Sequence, residues 1–100
     1  MDIDPVLKAL AAALMDNDSG VRSLSAMALA DIGPDAQPAV QALVDATKDK
    51  EVNVRGAAVY ALGEIGPGAR SAVTALTQAL RDEDSEVRKA AAIALAKVQE

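Results

Sequence analysis

The chain repeats itself every 33 residues, and that period constrains its fold more than any other feature. Val21-Arg22 recurs as Val54-Arg55 and Val87-Arg88. Asp16, Asp49 and Asp82 keep the same spacing, as do Leu10, Leu43 and Leu76, and Leu29, Leu62 and Leu95. Ile32-Gly33-Pro34 returns as Ile65-Gly66-Pro67, and Val40 as Val73. So many coincidences at one offset mark a repeat architecture, in which each unit packs on its neighbours in sequence. One hundred residues then make a single domain, 1–100, of about three units.

Each period divides into two helical stretches. Val54, Ala57, Ala58, Ala61, Leu62 and Ile65 follow the i, i+3, i+4, i+7 spacing of one helix face, and Ala69, Ala72, Val73, Leu76, Ala79 and Leu80 do the same. Between them stands Gly66-Pro67, and Gly33-Pro34 one period earlier. A glycine past a helix end accepts a left-handed conformation, and the proline behind it cannot continue the helix. Acidic turns, DNDSG, DKEVN and DEDSE, separate the periods and can cap the helices that follow. The spacing predicts helices over 4–15, 19–32, 35–48, 52–65, 68–81 and 85–98, and no strand. The expected fold is all-α: an α-solenoid, a right-handed stack of about three antiparallel helix hairpins.

The residues of the repeat resemble the HEAT-like repeats, particularly the short type first named from phycobilisome lyase subunits. Asp49, Val54-Arg55, Leu62, Ile65, Gly66 and Pro67 carry the resemblance. Asp16, Val21-Arg22, Leu29, Ile32, Gly33 and Pro34 carry it in the earlier period. The last period starts with Asp82 and Val87-Arg88 and reaches Val98 without a Gly-Pro. The resemblance implies that the first helix of each pair lies on a convex side. The second, here 4–15, 35–48 and 68–81, lines a concave side that commonly binds partners. It therefore implies a protein-binding or scaffolding module without catalysis of its own. It also brings two rivals: a component or fragment of a bilin lyase or isomerase, and a nucleic-acid-binding module of HEAT-like type.

Composition weighs against both rivals. The chain has no His, Cys, Phe or Trp and one tyrosine, Tyr60. Thiolate nucleophiles, disulfides, Cys/His zinc sites and a Ser-His-Asp triad are excluded, and no cofactor is expected. A net charge of −5 opposes binding to a phosphate backbone, and one tyrosine makes no base-stacking platform. The opening MDIDPV is unlike a secretory signal, and the apolar run Val6 to Met15 is broken by Lys8 and too short for a bilayer. A cytoplasmic protein with no membrane and no nucleic-acid partner is the expectation.

Three clusters invite chemical readings, and a structural one outweighs each. Arg22, Arg55 and Arg88 form a column that could hold anions. Each sits in a first helical turn near an Asp-rich segment, so Asp–Arg pairing that pins neighbouring repeats explains them better. Asp16-Asn17-Asp18-Ser19-Gly20 faintly resembles a calcium loop. Its glycine stands at position five rather than six, and Met27 occupies position twelve, where a bidentate Glu is needed. A capping turn is the better reading, and the formal glycosylation sequon Asn17-Asp18-Ser19 adds little. The glycines of GEIGPG match neither phosphate-loop spacing; Gly63 reads as a packing position, because Ala30 and Ala96 are its counterparts.

The second helices of the pairs carry a stripe that changes from period to period while the apolar positions hold. Its columns are Asp4, Gln37, Arg70; Lys8, Gln41, Thr74; Ala12, Asp45, Gln78; and Met15, Lys48, Arg81. Gln37, Gln41, Asp45, Arg70, Thr74 and Gln78 are the candidate protein-binding residues. Helix 4–15 is nearly all apolar, with Val6, Leu7, Leu10 and Leu14 as a candidate exposed edge. Such an edge predicts self-association, in the form of a two-fold homodimer, or cover by the rest of a longer parent protein. The last helix is better finished, by Arg88, Lys89, Lys97 and Glu100.

Overall fold

The computed structural model describes residues 2–99, which form helices and no strand. Glu100 lies outside the described residues. Four helices run ten residues or more: α1 (Asp4–Ala13), α2 (Ser19–Ile32), α4 (Val52–Ile65) and α6 (Ser85–Val98). Two more, α3 (Val40–Ala46) and α5 (Val73–Ala79), span seven residues each.

The expected helices 35–48 and 68–81 are thus not continuous α-helices. Each begins as a 3-10 segment, Gly33–Ala39 and Gly66–Ala72, before turning α-helical. Pro34 and Pro67 supply no N–H, and Pro38 removes another donor from inside the first segment. Ser71 stands where Pro38 does one period earlier, yet the second segment is also 3-10, with Ala69 off helical values at φ −101° and ψ 20°. The shared Gly-Pro corner is therefore the common cause. Periodicity could not reveal this, since Ala36, Ala39 and their counterparts at a spacing of three suit a 3-10 turn and an α-helix alike. Helix α1 is shorter than expected as well. Its end tightens, with the Met15 and Asp16 N–H groups donating to the carbonyls of Ala12 and Ala13, three residues back.

At the corners, Gly33 and Gly66 have φ of 75° and 77° with ψ of −140°. The positive φ is as expected for glycine, but the ψ is not that of the left-handed helix. This is a region that side chains essentially forbid. It turns the chain sharply while each glycine N–H still donates to the carbonyl four residues back, Leu29 and Leu62. The acidic turns start the long helices. The Asp18 carboxylate accepts from the Val21 N–H and caps α2, and Asp84 accepts from the Glu86 N–H and caps α6. Helix α4 begins at Glu51 without a side-chain cap.

Helices α2, α4 and α6 lie side by side as one layer, and α1, α3, α5 and the 3-10 segments form the other. The result is a slab of 36 × 32 × 17 Å. Leu29, Leu43, Leu62, Ile65, Leu76, Val54, Val59, Val87 and Val98 are fully buried. Each such side chain contributes about 1.5–3 kcal/mol. Helix α4 has neighbours on both sides within its layer, so Val54, Ala57, Ala58, Val59, Ala61, Leu62, Gly63 and Ile65 are all buried. Gly63 makes the closest approach: a Cβ there would meet the Ala94 Cα at 3.0 Å. No described helix is long and apolar enough to cross a membrane.

Candidate functional site

The first residues of α2, α4 and α6 set up a ladder of arginines. Arg22 donates from Nε to Asp49 Oδ2 at 2.8 Å and from Nη2 to Asp49 Oδ1 at 3.1 Å. Its Nη1 donates to the carbonyls of Asp16 and Asn17, at 2.8 and 3.1 Å. One period on, Arg55 binds Asp82 at 2.8 and 3.2 Å and the carbonyls of Asp49 and Lys50 at 3.0 and 3.3 Å. Each arginine therefore ties its own turn to the carboxylate of the next turn. That is a bidentate, charge-assisted link between periods. Both ion pairs are largely withdrawn from solvent.

The aspartates do a second job. Asp16, Asp49 and Asp82 each accept, at 2.9 Å, the N–H of the residue two positions on, which shapes the turn. Burial pushes the Asp49 and Asp82 carboxyls up, but the arginine and backbone N–H bonds outweigh it and hold both below the usual carboxylate range. The column ends differently at its two extremes. Asp16 makes no ion pair among the described residues, and Arg88 is exposed, donating only to the Asp82 carbonyl at 2.7 Å. Between those two extremes the ladder is a structural device whose valences are filled by the protein.

The variable stripe lies on the other layer. Asp4, Lys8, Ala12, Met15, Gln37, Gln41, Asp45, Lys48, Arg70, Thr74, Gln78 and Arg81 are all exposed, while Leu43, Ala46, Ala72, Leu76 and Ala79 beside them are buried. Gln41 Nε2 donates to Asp45 Oδ1 at 3.2 Å, so these two side chains are held together along α3. The stem of Gln37 rests against Gly68, where a Cβ would meet its Cγ at 3.1 Å. This contact links the stripe from one period to the next, and nothing in the spacing foretold it; the glycine at 68, where Asp35 stands one period earlier, was its one trace. A recess opens beside the stripe between residues 14–17 and α3, rimmed by Met15, Asp45, Asp49 and Lys50.

The candidate apolar edge needs correction. Leu7 and Leu14 belong to the core, each 4% exposed, because α1 turns that side onto α2. Val6 is exposed and Leu10 half-buried, so only these two reach the surface of the proposed edge. The DNDSG turn is a capping and ladder turn, with Asp16 and Asp18 spent on backbone N–H groups. Among the described residues no group of three or more acidic side chains is placed to hold a metal ion. The expected structural positions Gly33, Pro34, Gly66 and Pro67 form the corners described above.

With this geometry in view, the comparison with known families is direct. A family model for HEAT repeats matches residues 40–100. The chain belongs to the HEAT-repeat family. The match takes in α3 to α6, and the same Val-Arg, Asp and Ile-Gly-Pro positions extend the pattern back through α2. No curated protein matches the chain. HEAT repeats are typically scaffolds for protein interaction, a property of the family rather than of a particular residue.

Proposed function

We propose that this HEAT-repeat chain is a protein-binding or assembly module. It works as a short α-solenoid that presents the layer of α1, α3 and α5 as its recognition face. One observation carries the reading: the positions that vary between periods are exposed together on that layer, while the apolar positions flanking them are buried and constant. Gln37, Gln41, Asp45, Arg70, Thr74 and Gln78 are the contact residues. Amides, hydroxyls and single charges of both signs suit a polar protein surface read by distributed contacts. The stripe intersperses the acids Asp4 and Asp45 among the cations Lys8, Lys48, Arg70 and Arg81, and the chain's net charge of −5 opposes binding to a phosphate backbone.

The test is affinity capture from the source cell with two sets of variants. Gln41→Ala with Thr74→Ala alters the stripe; Tyr60→Ala alters the opposite, convex layer. Captured partners that disappear with the stripe variant and persist with Tyr60→Ala support the proposal. The reverse pattern overturns it.

A further inference from the structure

The two ends of the slab differ from its interior in a way that points to a specific occupant. Val54 and Val87, at 0% and 1% exposure, are sealed by the preceding helix of the outer layer; their counterpart Val21 is 40% exposed. Leu24 is 71% exposed where Ala57 is buried and Ala90 half-buried, and Val6 is exposed where Ala39 and Ala72 are buried. At the other end, Ala92 and Ala96 are exposed where Ala26, Val59, Ala30 and Gly63 are buried, and Ile93 is 59% exposed against 44% for Tyr60 and 38% for Met27. One end shows the side that α4 and α6 turn towards the preceding helix. The other shows the side that α2 and α4 turn towards the following one. They are the two halves of the contact that the fold already makes twice.

We propose that the end faces bind each other between copies, head to tail, so that α6 of one chain receives α1 and α2 of the next. Register supports a second copy as the occupant. A shift of three periods, 99 residues, places α1 of the next copy after α6 as α3 stands after α2. Charge supports it as well. Each rung of the ladder joins an arginine to an aspartate 27 positions on. For Arg88 that place falls, after the 99-residue shift, on Asp16 of the next copy. Among the described residues these are the ladder's arginine without a carboxylate and its aspartate without an ion pair. Lys97 meets Glu64 one period back, and one period ahead it meets the exposed Asp31 of the next copy.

Packing agrees at the same places. Gly63 with Ala94 brings the outer helices close, and at the junction the equivalent pair is Ala96 with Ala28. Met27 lies near Ala57 and Tyr60 near Ala90, a large side chain against a small one. The junction sets Ile93 against Leu24, two exposed apolar side chains that would cover each other. The contact is heterologous and leaves one free face of each kind, so growth does not stop at two copies. This inference rests on the end faces alone and is independent of the stripe.

Sedimentation of the full chain over a range of concentrations tests it. The expected weight-average mass rises past two chains as concentration increases. Leu24→Lys blocks one face and Ile93→Lys the other; both sites are exposed, and circular dichroism melts check that each variant folds. Each variant alone is then monomeric, and an equimolar mixture forms a heterodimer and nothing larger. Adding Arg88→Glu to the Leu24→Lys chain weakens that heterodimer about tenfold or more. Adding Asp16→Arg to the Ile93→Lys chain restores it. A wild-type chain that stays monomeric to millimolar concentration overturns the proposal. So does Ile93→Lys dimerising by itself, which would place a two-fold contact on the N-terminal face instead.

Discussion

Arg55→Ala and Arg88→Ala remove the same side chain from the same position of the repeat, and their consequences should differ severalfold. Arg55 makes two bonds to Asp82 and two to backbone carbonyls, and the pair is about a tenth exposed on each side. Truncating one partner of an exposed pair costs about 0–1 kcal/mol. Truncating one partner of a fully buried pair costs about 3–5 kcal/mol, because the remaining charge is left uncompensated. With so little solvent at the Asp82 carboxylate, the expected loss for Arg55→Ala is about 3 kcal/mol. For a domain of this size that lowers Tm by roughly 12–24 °C. Arg88 is exposed and has one backbone acceptor. Its truncation should stay within about 0.5 kcal/mol at dilutions where the chain is monomeric. Urea and thermal denaturation followed by circular dichroism measure both. A cycle of Arg55→Ala, Asp82→Ala and the double variant should give a coupling of about 2 kcal/mol. A loss below 1 kcal/mol for Arg55→Ala, or equal losses for the two arginines, would refute the claim that the ladder holds the periods together.

Four further predictions follow from contacts and charge. Gly56→Ala should stabilise by up to about 1 kcal/mol through helix propensity, since its Cβ would meet only Val87 Cγ2 at 3.8 Å. Gly63→Ala should instead lower the urea midpoint. The same gain is outweighed there by overpacking of about 1–3 kcal/mol against the Ala94 backbone. Gly66→Ala, at φ 77°, should cost about 1–3 kcal/mol in strain, and a melt unchanged by it would remove the corner argument. The ladder should also be acid-sensitive. Asp82 has a depressed folded pKa, so its contribution is present above the unfolded value near 4 and fades as pH falls through the lower folded value. The Tm gap between wild type and Asp82→Asn should therefore be full at pH 7 and shrink below about pH 4. A gap that stays constant down to pH 2.5 would mean that the carboxylate charge is not its source.

The all-helical class and the corners were legible because the 33-residue period, the apolar spacing and Gly-Pro all report local backbone physics. The internal breaks after each corner were not, because a 3-10 turn and an α-helix share the spacing of three that Ala36 and Ala39 display. Exposure at the ends was legible only in part. Counting apolar residues in helix 4–15 pointed to Val6, Leu7, Leu10 and Leu14 as an open edge, yet the inner helix spends Leu7 and Leu14 on the core and leaves only Val6 exposed and Leu10 half-buried. The larger exposed side chains of that end, Val21 and Leu24, lie on the outer helix. They carry ordinary amphipathic signals and look buried in any single period. What separates them from Val54 and Ala57 is no property of the residue but its place in the stack. In a repeat protein each period predicts the next, so a position that breaks the prediction locates a surface. Two such breaks, an arginine lacking its aspartate at one end and an aspartate lacking its arginine at the other, are what the proposed head-to-tail contact would join.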